Sequence, residues 1–265
     1  TLSLHDALPI WTRVQSKAHW EQVYTSQPAT GVSWFQEHAQ RSVQLIRRTG
    51  VARDAPIIDV GGGASTLVDD LLAAGHSTLT VLDLSEAALS AARQRLGERA
   101  QRVDWRLGDI TQLELPRHAY ALWHDRAVFH FLTTREEREA YVNAVLRAVK
   151  PGGHVIVATF AEDGPEKCSG LPVMRYSADG LHAEFGAPFT LLQQEREVLE
   201  GLLVPAIIID EKGIIHAFNK AAQDLLGYRL IDVVGKNVSL LMTGHDQKNH
   251  DTRSEERRVG KECLR

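Results

Sequence analysis

Between Pro56 and Phe160, short apolar runs alternate with segments of amphipathic spacing. The runs fall at 56–60, 78–83, 103–107, 119–125 and 154–160. They are too continuous in Val, Ile and Leu for strands with one wet face, so they read as strands buried on both sides. The segments between them, at about 65–74, 86–96 and 135–149, place apolar residues at helical spacing. This alternation predicts an α/β fold, a doubly wound and mainly parallel sheet covered by helices on both faces. Upstream, residues 11–50 read as an N-terminal cap, with a helix from about Gln36 to Arg48 that carries Val43, Leu45 and Ile46 on its apolar side. Downstream, a loop over 161–170 leads to a short helix near 177–185 and an expected sixth strand at 189–195.

Four motifs fall where such a sheet binds ligands, at the carboxyl ends of its strands. Asp59-Val60-Gly61-Gly62-Gly63 closes the first run. Its glycines permit a turn closed to other residues, and the helix behind it points free N–H groups at that turn. The second run ends in Asp83-Leu84-Ser85, an acid able to accept both hydroxyls of a ribose. The third ends in Gly108-Asp109-Ile110, and Lys150-Pro151-Gly152-Gly153 precedes the fifth. The G-x-G-x-x-G spacing of dinucleotide folds is not met, because Thr66 stands where its third glycine falls. Asp59 also suits a ligand with an amino group and a sulfonium better than a pyrophosphate. In this order and spacing the motifs resemble those of class I S-adenosylmethionine-dependent methyltransferases. The resemblance implies a Rossmann-like fold with S-adenosylmethionine as cofactor. It sets Asp59, Gly61 and Gly63 at the methionine part and Asp83 at the ribose. Leu84, Asp109 and the Ile110 N–H then meet the adenine.

Methyl transfer is an in-line displacement at carbon, so holding donor and acceptor in line and excluding water carries most of the catalysis. The fourth strand runs into His124-Asp125-Arg126, with His130 close behind, beside the expected sulfonium. His124, Asp125 and His130 are the candidates for steering or deprotonating the acceptor, and Asp125 is also a candidate cofactor contact. Equally, Asp125 and Arg126 form a structural ion pair and His130 packs under the helix. Tyr24 and Trp34, with Trp20 and Phe35, are placed to lid the cofactor, where an aromatic face attracts a sulfonium; core packing is the plain alternative. Cys168 has no basic residue spaced to activate it as a nucleophile.

The two ends read differently. Residues 1–10 and 253–265 back-translate into the two strands of one oligonucleotide that resembles a short-read sequencing adapter, so both are set aside as adapter-derived. The chain holds 34 acidic and 30 basic residues, and the C-terminal end is rich in the basic ones, so the interior is the more acidic part. With no Lys/Arg cluster, nucleic acid and anionic membranes are not expected partners. A small molecule or a protein side chain is the expected acceptor. Setting the ends aside leaves Cys168 alone, which gives no disulfide and no metal spacing and fits a reducing cytoplasm. No apolar run approaches the roughly 18 residues that span a bilayer.

After Glu197 the pattern changes again. Residues 198–219 read as a helix end followed by a β-hairpin that turns at 210–213, and Asn219-Lys220-Ala221-Ala222, Gly227-Tyr228 and Gly235-Lys236-Asn237 come with and after it. Residues 198–252 resemble the first half of a PAS sensor domain, without the strands that would complete its sheet. Residues 51–197 likewise lack the seventh strand with which class I methyltransferases normally finish. Two incomplete domains between adapter-like ends favour an artificial join, and an exposed sheet edge predicts weak stability or aggregation. His250 and Asp251 stand where oxygen-sensing PAS domains carry a haem ligand, yet the far wall of that pocket is missing, so haem is not expected. The second functional reading is a PAS-type sensor or binding module with an inactive α/β domain. A nicotinamide-dependent oxidoreductase comes third, disfavoured by Asp59 and Thr66.

Overall fold

The computed structural model describes residues 8–32, 34–196, 207–209, 212–218 and 220–241. Residues 1–7 and 253–265 of the adapter-like ends, and His250 with Asp251, lie outside the described residues. The chain divides into two units, 1–194 and 195–265.

In the first unit, the cap comprises α1 (Leu8–Ser26) and α2 (Gln40–Thr49). Helix α1 was not anticipated, and it starts inside the segment set aside as adapter-derived. Helix α2 stops at Gly50, whose left-handed backbone (φ 72°) returns its N–H to the Arg47 carbonyl. The sheet follows as β1 (Ile57–Val60), α3 (Leu67–Ala73), β2 (Leu79–Asp83), α4 (Glu86–Leu96), β3 (Val103–Leu107), β4 (Tyr120–Arg126), α5 (Arg135–Ala148) and β5 (Val149–Ala158). All five strands are parallel, in the order β3-β2-β1-β4-β5.

Every residue of β1 and β2 is buried, because helices cover both faces of the sheet. Successive residues of β1 serve opposite faces. Ile57 packs with Leu79 and Leu122 against Ile46 of α2 and Leu71 of α3. Ile58 packs with Leu82 and Trp123 against Tyr141 and Val145 of α5. The fifth strand starts earlier than expected: Tyr120 pairs with Val149 but Leu122 with His154, so the Pro151-Gly152-Gly153 turn becomes a bulge inside β5.

Beyond β5 come the short hairpin β6 (Lys167–Cys168) and β7 (Leu171–Pro172) and the helix α6 (Ala178–Phe185). The expected sixth strand at 189–195 does not form. Phe189 packs edge-on against Phe185, but Leu191 and Leu192 are adjacent and exposed among Thr, Gln and Glu. Neighbouring leucines would point to opposite faces of a strand, so this segment offers no apolar face to bury. Strand β5 is thus an edge of the sheet, with residues 153–158 only partly buried.

In the second unit, β8 (Ile207–Ile209) and β9 (Ile215–Phe218) pair antiparallel, ahead of α7 (Lys220–Leu226) and α8 (Leu230–Val233). Ile215, Ala222 and Val233 form its buried cluster among the described residues. Among the described residues no helix is long and apolar enough to cross a membrane, and no three His, Cys, Asp or Glu side chains gather as metal ligands.

Candidate functional site

From β1 the strand order runs one way to β2 and β3 and the other way to β4 and β5. Chain connections therefore leave the carboxyl ends of β1 and β4 in opposite directions and open a crevice there. Asp59, Gly61, Gly62, Ser65 and Thr66 line it from the β1–α3 turn, His124 and Arg126 from β4, and Tyr24, Val32, Trp34, Phe35 and Gln36 from the cap.

The turn needs its glycines. Gly61 (φ 71°) and Gly63 (φ 21°) hold backbone conformations that side chains resist. A Cβ on Gly62 would lie 2.5 Å from Asp59 Oδ2, and one on Gly63 would strike Asp83 Oδ2. The glycines thus leave room for two carboxylates, at the ends of β1 and β2.

Asp59 and His124 are neighbours in the β1–β4 register, and both are buried. His124 Nδ1 lies 2.7 Å from Asp59 Oδ1, and its Nε2 lies 2.9 Å from Ser42 Oγ of α2. Asp59 Oδ2 is buried without a hydrogen-bond partner among the described residues. A carboxylate oxygen in that condition is costly unless a ligand completes it.

Asp83 is buried at the end of β2, and burial lifts its carboxyl to about 7, with the Asp59 charge adding to the effect. Its Oδ1 accepts from the Ser85 N–H at 2.8 Å. Ser85 also caps α4 by accepting from the Ala88 N–H. Glu21 of α1 reaches the same helix end: Ser85 Oγ donates to Glu21 Oε2 at 2.8 Å and the Ala87 N–H donates to Oε1 at 3.2 Å. Leu84 is half-buried between the two carboxylate-bearing and capping positions. At the end of β3, Asp109 Oδ1 accepts from the Thr111 N–H and hydroxyl, and Ile110 is buried. The Ile110 N–H donates to no acceptor among the described residues.

Asp125 and His130 sit apart from the crevice lining. Asp125 is fully buried; its oxygens accept from the Val128 N–H (2.7 Å), the Phe129 N–H (3.1 Å) and the Tyr141 hydroxyl (2.5 Å), while Trp123 Nε1 donates to Tyr141. Burial lifts the Asp125 carboxyl to about 6 despite these donors. Of the two readings of Asp125, the ion pair with Arg126 is not formed. Three donors close around the carboxylate instead, which turns it into the cap of the turn at 127–131. His130 is fully buried against the rings of Phe131 and Phe160, and burial pulls its imidazole down to about 4.

The aromatic residues of the cap gather over the crevice. Trp20 packs edge-on against Trp34 and Phe131, and Trp34 Nε1 donates to the Tyr24 hydroxyl at 3.2 Å. Burial, with the Asp83 charge, pushes the Tyr24 phenol up to about 12. Burial also pushes the Cys168 thiol up, opposed by the charge of Arg126. Sequence reasoning missed Glu21, Ser42 and Tyr141. Each lies in a helix remote from the strand ends, and no local spacing ties it to the carboxylate or helix end it serves.

Residues 57–153 match the family described as Methyltransferase domain, and 193–264 match the PAS fold. Human EEF1A lysine methyltransferase 2 is 22% identical over 193 residues, covering 68% of this chain and 76% of that protein. Sensor protein FixL of Bradyrhizobium diazoefficiens is 37% identical over 57 residues, covering 22% of this chain and 11% of that protein. A solved structure concerned with conversion of a disulfide bond into a thioacetal group during echinomycin biosynthesis is alike in fold. It has a TM-score of 0.54 at 21% identity, over 64% of this chain and 77% of that one. The chain carries a class I S-adenosylmethionine-dependent methyltransferase domain, joined to a segment of the PAS fold family.

Proposed function

We propose that the crevice binds S-adenosylmethionine and passes its methyl group, by in-line displacement, to a small molecule or a protein side chain. One observation carries this reading: Asp59 Oδ2 is buried at the crevice without a hydrogen-bond partner among the described residues, beside glycines that leave no room for a Cβ. That oxygen suits the ammonium of the methionine part, and the cradle fits the group. When bound, the cofactor supplies a methyl carbon made electrophilic by its sulfonium.

The remaining roles belong to the chain. His124, braced by Ser42, fixes the Asp59 carboxylate, so that the ammonium is met by an acceptor already in place. Asp83 accepts the ribose hydroxyls, with Leu84, Asp109 and the free Ile110 N–H around the adenine. Tyr24 and Trp34 cover the crevice and exclude water. Asp125 and His130 act as positioning residues, which hold the 127–131 turn from beneath. Isothermal titration tests the reading. S-adenosylmethionine should bind, NAD should not, and Asp83→Ala should abolish the binding. A folded protein that takes up no S-adenosylmethionine overturns it.

A further inference from the structure

Among the described residues, Arg126 is a cation in the crevice without an acidic partner. It ends β4 and is half-buried, and it lines the crevice with Tyr24, Trp34 and Phe35. Among the described residues it joins no ion pair. Its hydrogen bond from Nη1 to the Trp34 carbonyl is long, at 3.5 Å. Its neighbour Asp125 does not neutralise it, since both Asp125 oxygens are taken up by Val128, Phe129 and Tyr141. In register Arg126 faces Ala158 of β5, whereas Asp83 lies on the opposite side of β1, on β2. The nucleoside is assigned to the β2 side. The guanidinium therefore stands on the side left for the acceptor.

We propose that Arg126 selects the acceptor, so that the crevice takes a planar, apolar molecule bearing a carboxylate and turns away amines such as a lysine side chain. This rests on the cofactor reading above. A guanidinium offers a carboxylate two parallel N–H donors, and partial burial strengthens that pairing while the same charge repels an ammonium. Tyr24, Trp34 and Phe35 supply the flat apolar walls. The charge of Arg126 also reaches Cys168 on the β6–β7 hairpin, where it opposes the upward push that burial gives the thiol.

The test begins by titrating the whole chain with S-adenosylhomocysteine, which checks the cofactor reading by itself. The loaded protein is then titrated with benzoate, benzamide and benzylamine, read through tryptophan fluorescence. Benzoate should bind at least ten-fold more tightly than benzylamine, with benzamide between them. Arg126→Met should bring that ratio close to one, while Arg126→Lys keeps part of it. Benzylamine binding as tightly as benzoate, or no benzoate binding to the loaded protein, would overturn the proposal with the cofactor reading intact. Loss of S-adenosylhomocysteine affinity in Arg126→Met, with the benzoate-to-benzylamine ratio unchanged, would also overturn it and put the guanidinium on the cofactor. Absence of S-adenosylhomocysteine binding in wild type would sink both readings together.

Discussion

Asp59 and His124 meet across the two central strands, Oδ1 to Nδ1 at 2.7 Å, and the Ser42 hydroxyl closes the far side of the ring at 2.9 Å. A carboxylate accepts only, so the ring proton at Nδ1 points to Asp59, while Nε2 and the serine hydroxyl share the second hydrogen bond. This chain of three residues ties cap, β1 and β4 together beneath the crevice. It also leaves one oxygen of Asp59 over for a ligand.

Removing the imidazole should therefore damage both folding and binding. His124→Ala would leave a buried carboxylate without its partner, at a cost on the order of 3 kcal/mol. Ser42→Ala, which deletes one neutral hydrogen bond, should cost about 1 kcal/mol. Urea melts of the two variants give the ranking, and equal losses would show that Asp59 is held by something else.

The Asp83 carboxyl gives opposite pH dependences for folding and for binding. Its folded value of about 7 lies above the ordinary 3.8, so the folded state holds the proton more strongly. The stability it contributes is full below about pH 4 and is lost as pH rises through about 7. Asp125, raised to about 6, loses its contribution in an overlapping window. Ribose hydroxyls need the ionised form, so S-adenosylhomocysteine affinity should instead rise with pH and level off above about 7. Calorimetry across pH 5.5–8.5 should show this slope in wild type and a flatter one in Asp83→Asn.

The sheet and the glycine turn were legible because their signals are local. Buried parallel strands show as unbroken apolar runs, and strand-end carboxylates sit at fixed offsets from glycines. The bonding of Asp125 and His124 was not legible, since Tyr141 and Ser42 arrive from helices 16 residues later and 82 residues earlier. Helix α1 was hidden because its docking rests on Glu21 reaching α4, a contact 64 residues apart. The sixth strand did not form because a strand needs an apolar face as well as β-rich composition, and the adjacent Leu191 and Leu192 would point to opposite faces.

Gly62→Ala tests whether the turn is shaped for the carboxylate. The new Cβ would lie 2.5 Å from Asp59 Oδ2 and 2.9 Å from Val81 Cγ1. Asp59 must then rotate off His124. Affinity for S-adenosylhomocysteine should fall at least ten-fold, while Gly31→Ala, which meets only ordinary contacts beside Pro28, should leave it unchanged. Undiminished affinity in Gly62→Ala would remove Asp59 from the site.

Tyr141→Phe separates support from chemistry. The hydroxyl donates to Asp125 and accepts from Trp123, and all three side chains are fully buried. Losing it strands a donor and part of a carboxylate, for about 1–3 kcal/mol of stability. Cofactor affinity at 10 °C, where the variant stays folded, should match wild type. A selective loss of affinity would show that Asp125 reaches the ligand.

Glu21 ties α1 of the cap to the start of α4. Glu21 takes a hydroxyl proton from Ser85 and an N–H from Ala87 at the start of α4, where a negative charge also meets the positive end of the helix. The same helix end follows Asp83, so anchoring of the cap and nucleoside binding share one turn of chain. Trp20, adjacent to Glu21, packs on Trp34 and Phe131, so a loosened α1 also loosens the aromatic cover. Glu21→Gln keeps the shape and one acceptor oxygen; Glu21→Ala keeps neither. Release of S-adenosylhomocysteine, followed by stopped-flow tryptophan fluorescence, should quicken several-fold in Glu21→Ala and less in Glu21→Gln, with α1 becoming more open to limited proteolysis in the same order. If α1 became protease-sensitive while the release rate stayed at its wild-type value, α1 would be an attached helix that plays no part in covering the crevice.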